Sequence, residues 1–237
     1  MNVSRQPKPA EKSAAEILAE RRGIRTGDRG PRARTYRLLV ETAIGLMQSG
    51  ETPSVSDVSE AAQVSRATAY RYFPNQSTLV ETVVDAALGP ILEWRSESAD
   101  PLERIEELFD LTVPRICEFE ATFRAALKLA LEQWRQNEDG TLTPDDEFRR
   151  GHRIAVLGDA IGPLRETLGT DRFRQLVDSL ALIFGIEAII ISRDISGLDE
   201  AAARDTLLWA AKAMIRQATD EVRARDQEPT DEVRAQD

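Results

Sequence analysis

Apolar residues recur every three or four positions along most of this chain, the spacing that gathers them on one face of an α-helix. The first run is Tyr36, Leu39, Val40, Ala43, Leu46 and Met47. A shorter one, Val55, Val58 and Ala61/Ala62, follows Ser54, and Asp57 three places on completes a capping box. Ser65 is placed to cap a second short helix. Pro74 ends that helix, because the residue before a proline is pushed out of the α region. Val64 is the buried apolar residue of the turn between them. Leu79 to Trp94 continues the pattern, with Gly89-Pro90 as a kink or end. Beyond it, helices are predicted over 100–119, 120–137, 145–168, 171–194 and 199–225. Their breaks are Asp100-Pro101, Asn137 to Pro144, Gly169 and Ser196-Gly197. No convincing strand pattern occurs, so the predicted fold class is all-α.

The two ends read differently from the middle. Residues 1–31 hold Pro7, Pro9, Gly23, Gly27, Gly30 and Pro31 without continuous periodicity. A short helix over 13–22 is predicted from the capping box Ser13 to Glu16 and the stop at Gly23. An arginine-rich lead then follows, with Arg25, Arg29, Arg32 and Arg34. At the other end, Thr219 to Asp226 returns 11 residues later as Thr230 to Asp237. The first copy is expected to extend the last helix. The second, behind Pro229, is expected to be a solvated duplication without its own function.

Charge divides along the chain. The whole carries −10, yet residues 1–80 hold 12 Lys/Arg against 8 Asp/Glu, a net +4, which leaves −14 on residues 81–237. A basic first third on an acidic body suits a protein that meets a polyanion with one end only. Hydrophobic content of 41% argues against disorder of the chain as a whole. The single cysteine, Cys117, permits no internal disulfide and points to a reducing cytoplasm. The N-terminus lacks the apolar core of a secretory signal. The longest apolar run, Leu180 to Ile191, is interrupted by Glu187 and too short for a bilayer. A soluble, cytoplasmic protein of bacterial, nucleoid-associated type is expected, without a membrane partner.

Two short helices joined by a tight turn at 54–74 are what a helix-turn-helix requires, the first bracing the second in a DNA major groove. From about Arg32 to Leu79 the chain resembles the DNA-binding domain of the TetR family of transcriptional regulators. The residues that carry the resemblance are the first apolar run, the capped pair, and Thr68-Ala69-Tyr70-Arg71-Tyr72-Phe73 followed by Pro74-Asn75-Gln76-Ser77-Thr78-Leu79. Two positions depart from the family pattern. Gln63 stands in the turn where glycine is usual, so a residue with a Cβ must take the turn conformation at some cost. Gln76 stands where a phosphate-contacting lysine is usual.

Composition and the repeat set off an arm at 1–31 and a tail at 219–237, and the resemblance implies a DNA-binding domain at 32–79 and a helical effector-binding and dimerisation domain at 80–218. It implies double-stranded DNA with a palindromic operator as partner, a second copy of the chain, and an unidentified small-molecule effector. Repression by operator occupancy is the expected mode of action. Arg66 and Thr68 are the base-edge candidates, because Arg can grip guanine O6 and N7 with two donors. Ala67 can meet a thymine methyl and Arg71 can serve either role. Ser54, Ser56, Ser65, Tyr70, Tyr72 and Gln76 are expected at phosphates or in setting register, with Arg32 and Arg34 near the minor groove. Leu176, Leu180, Phe184, Leu207, Leu208, Ala211 and Met214 are expected at the dimer interface, against the plain reading of two core helices, which periodicity alone does not exclude. Phe109, Phe123, Trp134, His152 and Phe184 are the candidates for an effector cavity, against ordinary core packing.

Other chemistry is poorly supported. His152 is the only histidine, with no second His or Cys nearby to complete a metal set. Cys117 reads as a small core residue. Glu103, Glu106 and Glu107, like Asp145, Asp146 and Glu147, read as solvated helix faces or starts. No glycine loop follows a strand. No catalytic residue, metal or cofactor is therefore expected, and a helical enzyme is disfavoured. The alternative is a ligand-binding or protein-interaction module whose DNA binding has decayed, for which Gln63 and Gln76 are the hints.

Overall fold

A computed structural model describes residues 30–144, 146–148 and 152–227. All regular structure among them is helical. The short helix predicted over 13–22, most of the arm, and the second copy of the C-terminal repeat lie outside the described residues. The described chain forms two compact units, one from residues up to 89 together with 121–149, the other from 90–120 together with the chain after 149. The first unit thus takes in more chain than the segment 32–79.

The first unit opens with α1 (Pro31–Gln48), whose Pro31 occupies the first turn, where the missing N–H would have no helical partner. Then come α2 (Val55–Ala61), α3 (Arg66–Tyr72) and α4 (Gln76–Leu88). Each of these three is capped at its N-terminus by a side chain: Ser54 accepts from the Asp57 amide, Ser65 from Thr68, and Asn75 from Thr78. The predicted capping box at Ser54 and Asp57 is complete in both directions. Helix α3 ends at Tyr72, two residues before Pro74. Gln63 has φ 55°, alone among described non-glycine residues in being positive, and so pays the strain its place in the turn implies.

Around these helices one core closes. Tyr36, Leu39, Val40, Ala43 and Met47 of α1 meet Val55 and Val58 of α2, Ala69 and Phe73 at α3, and Leu79, Val80 and Val83 of α4. Ala125, Ala126 and Leu129 of α6 (Glu120–Glu138) complete it, together with Phe148. Leu46 and Val64 are only partly buried against it. Tyr36 stacks on Phe73 with ring centres 5.7 Å apart, and Tyr72 leans on both. Full burial of such side chains stabilises by roughly 1.5–3 kcal/mol each. Gln133, buried on α6, donates to Ser77 Oγ at 2.8 Å and to the Asp146 carbonyl at 2.7 Å, and accepts from the Phe148 amide.

The second unit holds α5 (Pro101–Glu118), α7 (His152–Ala160), α8 (Arg165–Leu182), α9 (Ile186–Ile190) and α10 (Glu200–Gln227). Helix α10 packs on α5 and α8 and contains the first copy of the repeat, as expected. Two predicted helices are shorter than their periodicity suggested. The one expected over 145–168 is non-helical at 146–148, runs as α7, and ends before a 3₁₀ turn at Gly162–Leu164. Pro163 would clash with a continuing helix and lacks its N–H donor. The freed carbonyls of Asp159 and Ala160 are taken by Arg104 at 2.7 and 2.9 Å.

The helix expected over 171–194 is preceded, as expected, by a non-helical Gly169 (φ 70°, ψ 172°), and it breaks at Gly185, where φ is 126°. Arg153 reaches into that break, donating to the Ala181 carbonyl at 3.3 Å and pairing with Glu187 at 2.6 Å. At that φ a side chain is strained whatever the space, and a Cβ on residue 185 would also lie 2.9 Å from the Arg153 guanidinium. A short π-helix, Ile191–Ile195, follows.

One expectation is corrected by burial. Leu176, Leu180, Phe184, Leu207, Leu208 and Ala211 are buried within this unit itself, and Met214 is half-buried. They are core residues of one protomer, because α8 and α10 turn these faces toward each other and toward α5. Leu182 on α8 and Trp209 on α10 face outward instead, 76% and 73% exposed. Among the described residues no single helix is long and apolar enough to cross a membrane.

Candidate nucleic-acid interface

Helix α3 has two unlike sides. Ala69 is fully buried and Phe73 just beyond the helix is too, which anchors α3 on α1 through the Tyr36 stack. Arg66, Ala67, Tyr70 and Arg71 are exposed, at the i, i+4 spacing of one helical face. Two guanidinium groups, a phenol and a methyl thus project from a short rod whose other side is fixed. Thr68 is half-buried, and its hydroxyl lies 2.8 Å from Ser65 Oγ, so the cap and the candidate base reader share a bond.

The start of α2 adjoins this face. Ser56 Oγ lies 3.3 Å from Tyr70 Oη, joining α2 to α3 through two hydroxyls. Ser54 and Asp57 hold each other through the capping box, with the Ser54 amide 2.8 Å from the Asp57 carboxylate. That contact with Ser54, followed by the positive charge of Arg66, keeps the Asp57 carboxyl below the ordinary carboxylate range.

Two predicted contact residues use their polar atoms inside the fold. Tyr72 is half-buried, and its hydroxyl donates to the Arg32 carbonyl at 3.0 Å, while Arg71 lies 5.5 Å over its ring. Tyr72 therefore ties the start of α1 to the end of α3. Gln76 donates from one nitrogen to the carbonyls of Thr52 and Pro53, each at 3.1 Å. Neither bond has a local sequence signal, since the partners are 40, 24 and 23 residues away. Arg32 and Arg34 are exposed at the start of α1.

The effector-cavity candidates fall in both units. Phe123 and Trp134 belong to the first unit, and Trp134 stands 65% exposed on α6. Phe109, His152 and Phe184 belong to the second, where His152 is exposed at the start of α7. Within the second unit Phe109 and Phe184 touch, edge to face with centres 5.4 Å apart. Cys117 is half-buried rather than core. Burial, reinforced by Glu200 and opposed by Arg193, raises its thiol above the usual range, away from the thiolate a reactive cysteine needs. Among the described residues no three His, Cys, Asp or Glu side chains are gathered as a metal set.

Comparison with protein-family models and with curated proteins finds no match to this chain.

Proposed function

We propose that this chain is a DNA-binding transcriptional regulator of the TetR type, acting as a homodimeric repressor on a palindromic operator. The observation that carries the reading is α3, with Arg66, Ala67, Tyr70 and Arg71 exposed on one face and Ala69 buried on the other. Arg66 reads a guanine edge, Ala67 meets a thymine methyl, and Arg71 supports either bases or phosphates. Tyr70 with Ser56, and the Ser54 end of α2, meet the phosphate backbone and set register. The net +4 on residues 1–80 favours the approach of this end to DNA.

A seven-residue reading helix spans few base pairs. A two-fold dimer doubles the readout, placing half-sites about 34–36 Å or a multiple apart. The dimer forms through the solvent side of α8 and α10, where Leu182 and Trp209 are exposed, since the inward sides are already packed. A small-molecule effector held by the second unit releases the operator through its differential affinity for two arrangements of the dimer.

Selection of bound sequences from a random DNA pool tests the reading. A palindromic motif enriched by the full chain is the expected result. Failure to enrich any sequence, at low salt as well as physiological salt, would leave the ligand-binding or protein-interaction module as the better account.

A further inference from the structure

Gln76 is the first residue of α4, directly after its Asn75 cap. A primary amide carries two N–H donors, and here both point into the fold, at the consecutive carbonyls of Thr52 and Pro53. Those carbonyls lie in the segment that ends at Ser54, whose hydroxyl and amide make the capping box of α2. Two residues further, Ser56 Oγ lies 3.3 Å from the Tyr70 hydroxyl. A series of polar contacts therefore runs from α4 through the start of α2 to the exposed face of α3. A neutral fork suits the task, because it satisfies two carbonyls without burying a charge.

We propose that Gln76 is a positioning residue and makes no DNA contact of its own; the inference rests on the DNA-binding reading above. It fixes the 52–54 segment, and through it the spacing of the Ser56 and Tyr70 hydroxyls that meet the phosphate backbone.

The test uses Gln76→Ala and Gln76→Lys in the full chain. Without DNA, the Asp57 amide, which donates to Ser54 Oγ, should exchange its hydrogen roughly tenfold faster in both variants. With the selected operator, both should bind roughly tenfold more weakly, with the slope of log affinity against log salt unchanged, because no charge contact is lost or gained. A double-mutant cycle of Ser56→Ala and Tyr70→Phe should show coupling in the native chain and none in the Gln76→Ala background. A general loss of stability would not remove that coupling selectively.

Unchanged Asp57 exchange in Gln76→Ala would overturn the proposal whatever happens with DNA. So would a Gln76→Lys chain that binds all sequences more tightly with a steeper salt slope, since the side chain would then face a phosphate. A native chain that enriches no DNA sequence overturns the DNA reading itself, and is told apart because the exchange experiment needs no DNA.

Discussion

Helix α3 in the first unit and helices α8 and α10 in the second all bury an apolar face, and they differ in what they leave outside. Helix α3 turns arginines and a phenol to solvent. Helices α8 and α10 turn out Leu182 and Trp209. Their supports differ as well. Helices α2 and α3 have seven residues each, too short to persist alone, and rely on the Ser54 and Ser65 caps and on the shared core. The 28-residue α10 is held along its length by ion pairs, Arg204 with Asp110, Lys212 with Glu106 and Arg172 with Glu221. Burial makes both units fold, while the solvent side separates a surface made for hydrogen bonding from one suited to apolar association.

The sharpest way to break this contrast is to compare two leucines on α8. Leu180 is fully buried, and Leu180→Ala should cost about 2–5 kcal/mol in thermal or urea unfolding. Leu182, two positions on and 76% exposed, should change stability by no more than about 0.5 kcal/mol when replaced by Ala. Sedimentation should instead show weaker self-association in Leu182→Ala, and more so with Trp209→Ala. If Leu182→Ala destabilised the fold as much as Leu180→Ala, the solvent side of α8 would not be a separate surface.

On α3 the expected loss is in recognition. Arg66→Ala should weaken binding to the preferred operator by about 1–3 kcal/mol and relax the selected motif at one position per half-site. Its melting temperature should stay near that of the native chain, because the side chain is exposed. A variant that selects the same motif unaltered would remove Arg66 from base reading.

The caps give a smaller effect that depends on pH. Ser54→Ala should cost about 0.5–2 kcal/mol. The carboxyl of Asp57 is held below its unfolded value by Ser54 and Arg66, so its contribution is complete above a pH of about 4 and fades as pH falls through the lowered folded value. The difference in stability between native chain and Ser54→Ala should therefore narrow in acid. A difference constant from pH 6 to pH 2.5 would mean that the capping box does not involve the charged carboxylate.

These contrasts also explain what was legible in the sequence. Caps, turns and stops act over three or four residues, so Ser54, Asp57, Ser65, Gln63 and Pro74 could be read in place. Periodicity identifies an apolar face but not the surface it meets; the resemblance assigned Leu180 and Leu208 to a partner copy, and they lie inside one protomer. Arg153 bonds to residues on both sides of the break at Gly185, and Tyr72 bonds to Arg32, both partners remote in sequence. For the candidate site, the resemblance picked out the exposed residues of α3. The internal use of Gln76 and Tyr72 became visible only with their partners placed.

The smallest effect should also have the opposite sign in the two units. Gln63 sits at φ 55° in the turn between α2 and α3, and Gly185 at φ 126° in the break after α8. A side chain in the left-handed region costs about 1–2 kcal/mol, while glycine adds about 0.5–1 kcal/mol of unfolded-state freedom. Gln63→Gly should therefore stabilise the chain by roughly 0.5–1 kcal/mol, seen as a higher melting temperature. Operator affinity should be unaffected, since Gln63 is outside the face of α3. Gly185→Ala should destabilise, because strain there is joined by the approach of its Cβ to within 2.9 Å of the Arg153 guanidinium. If Gln63→Gly lowered the melting temperature instead, the glutamine side chain would be making a contact that outweighs the strain of the turn. The first unit would then hold its strained turn for a reason other than tolerance.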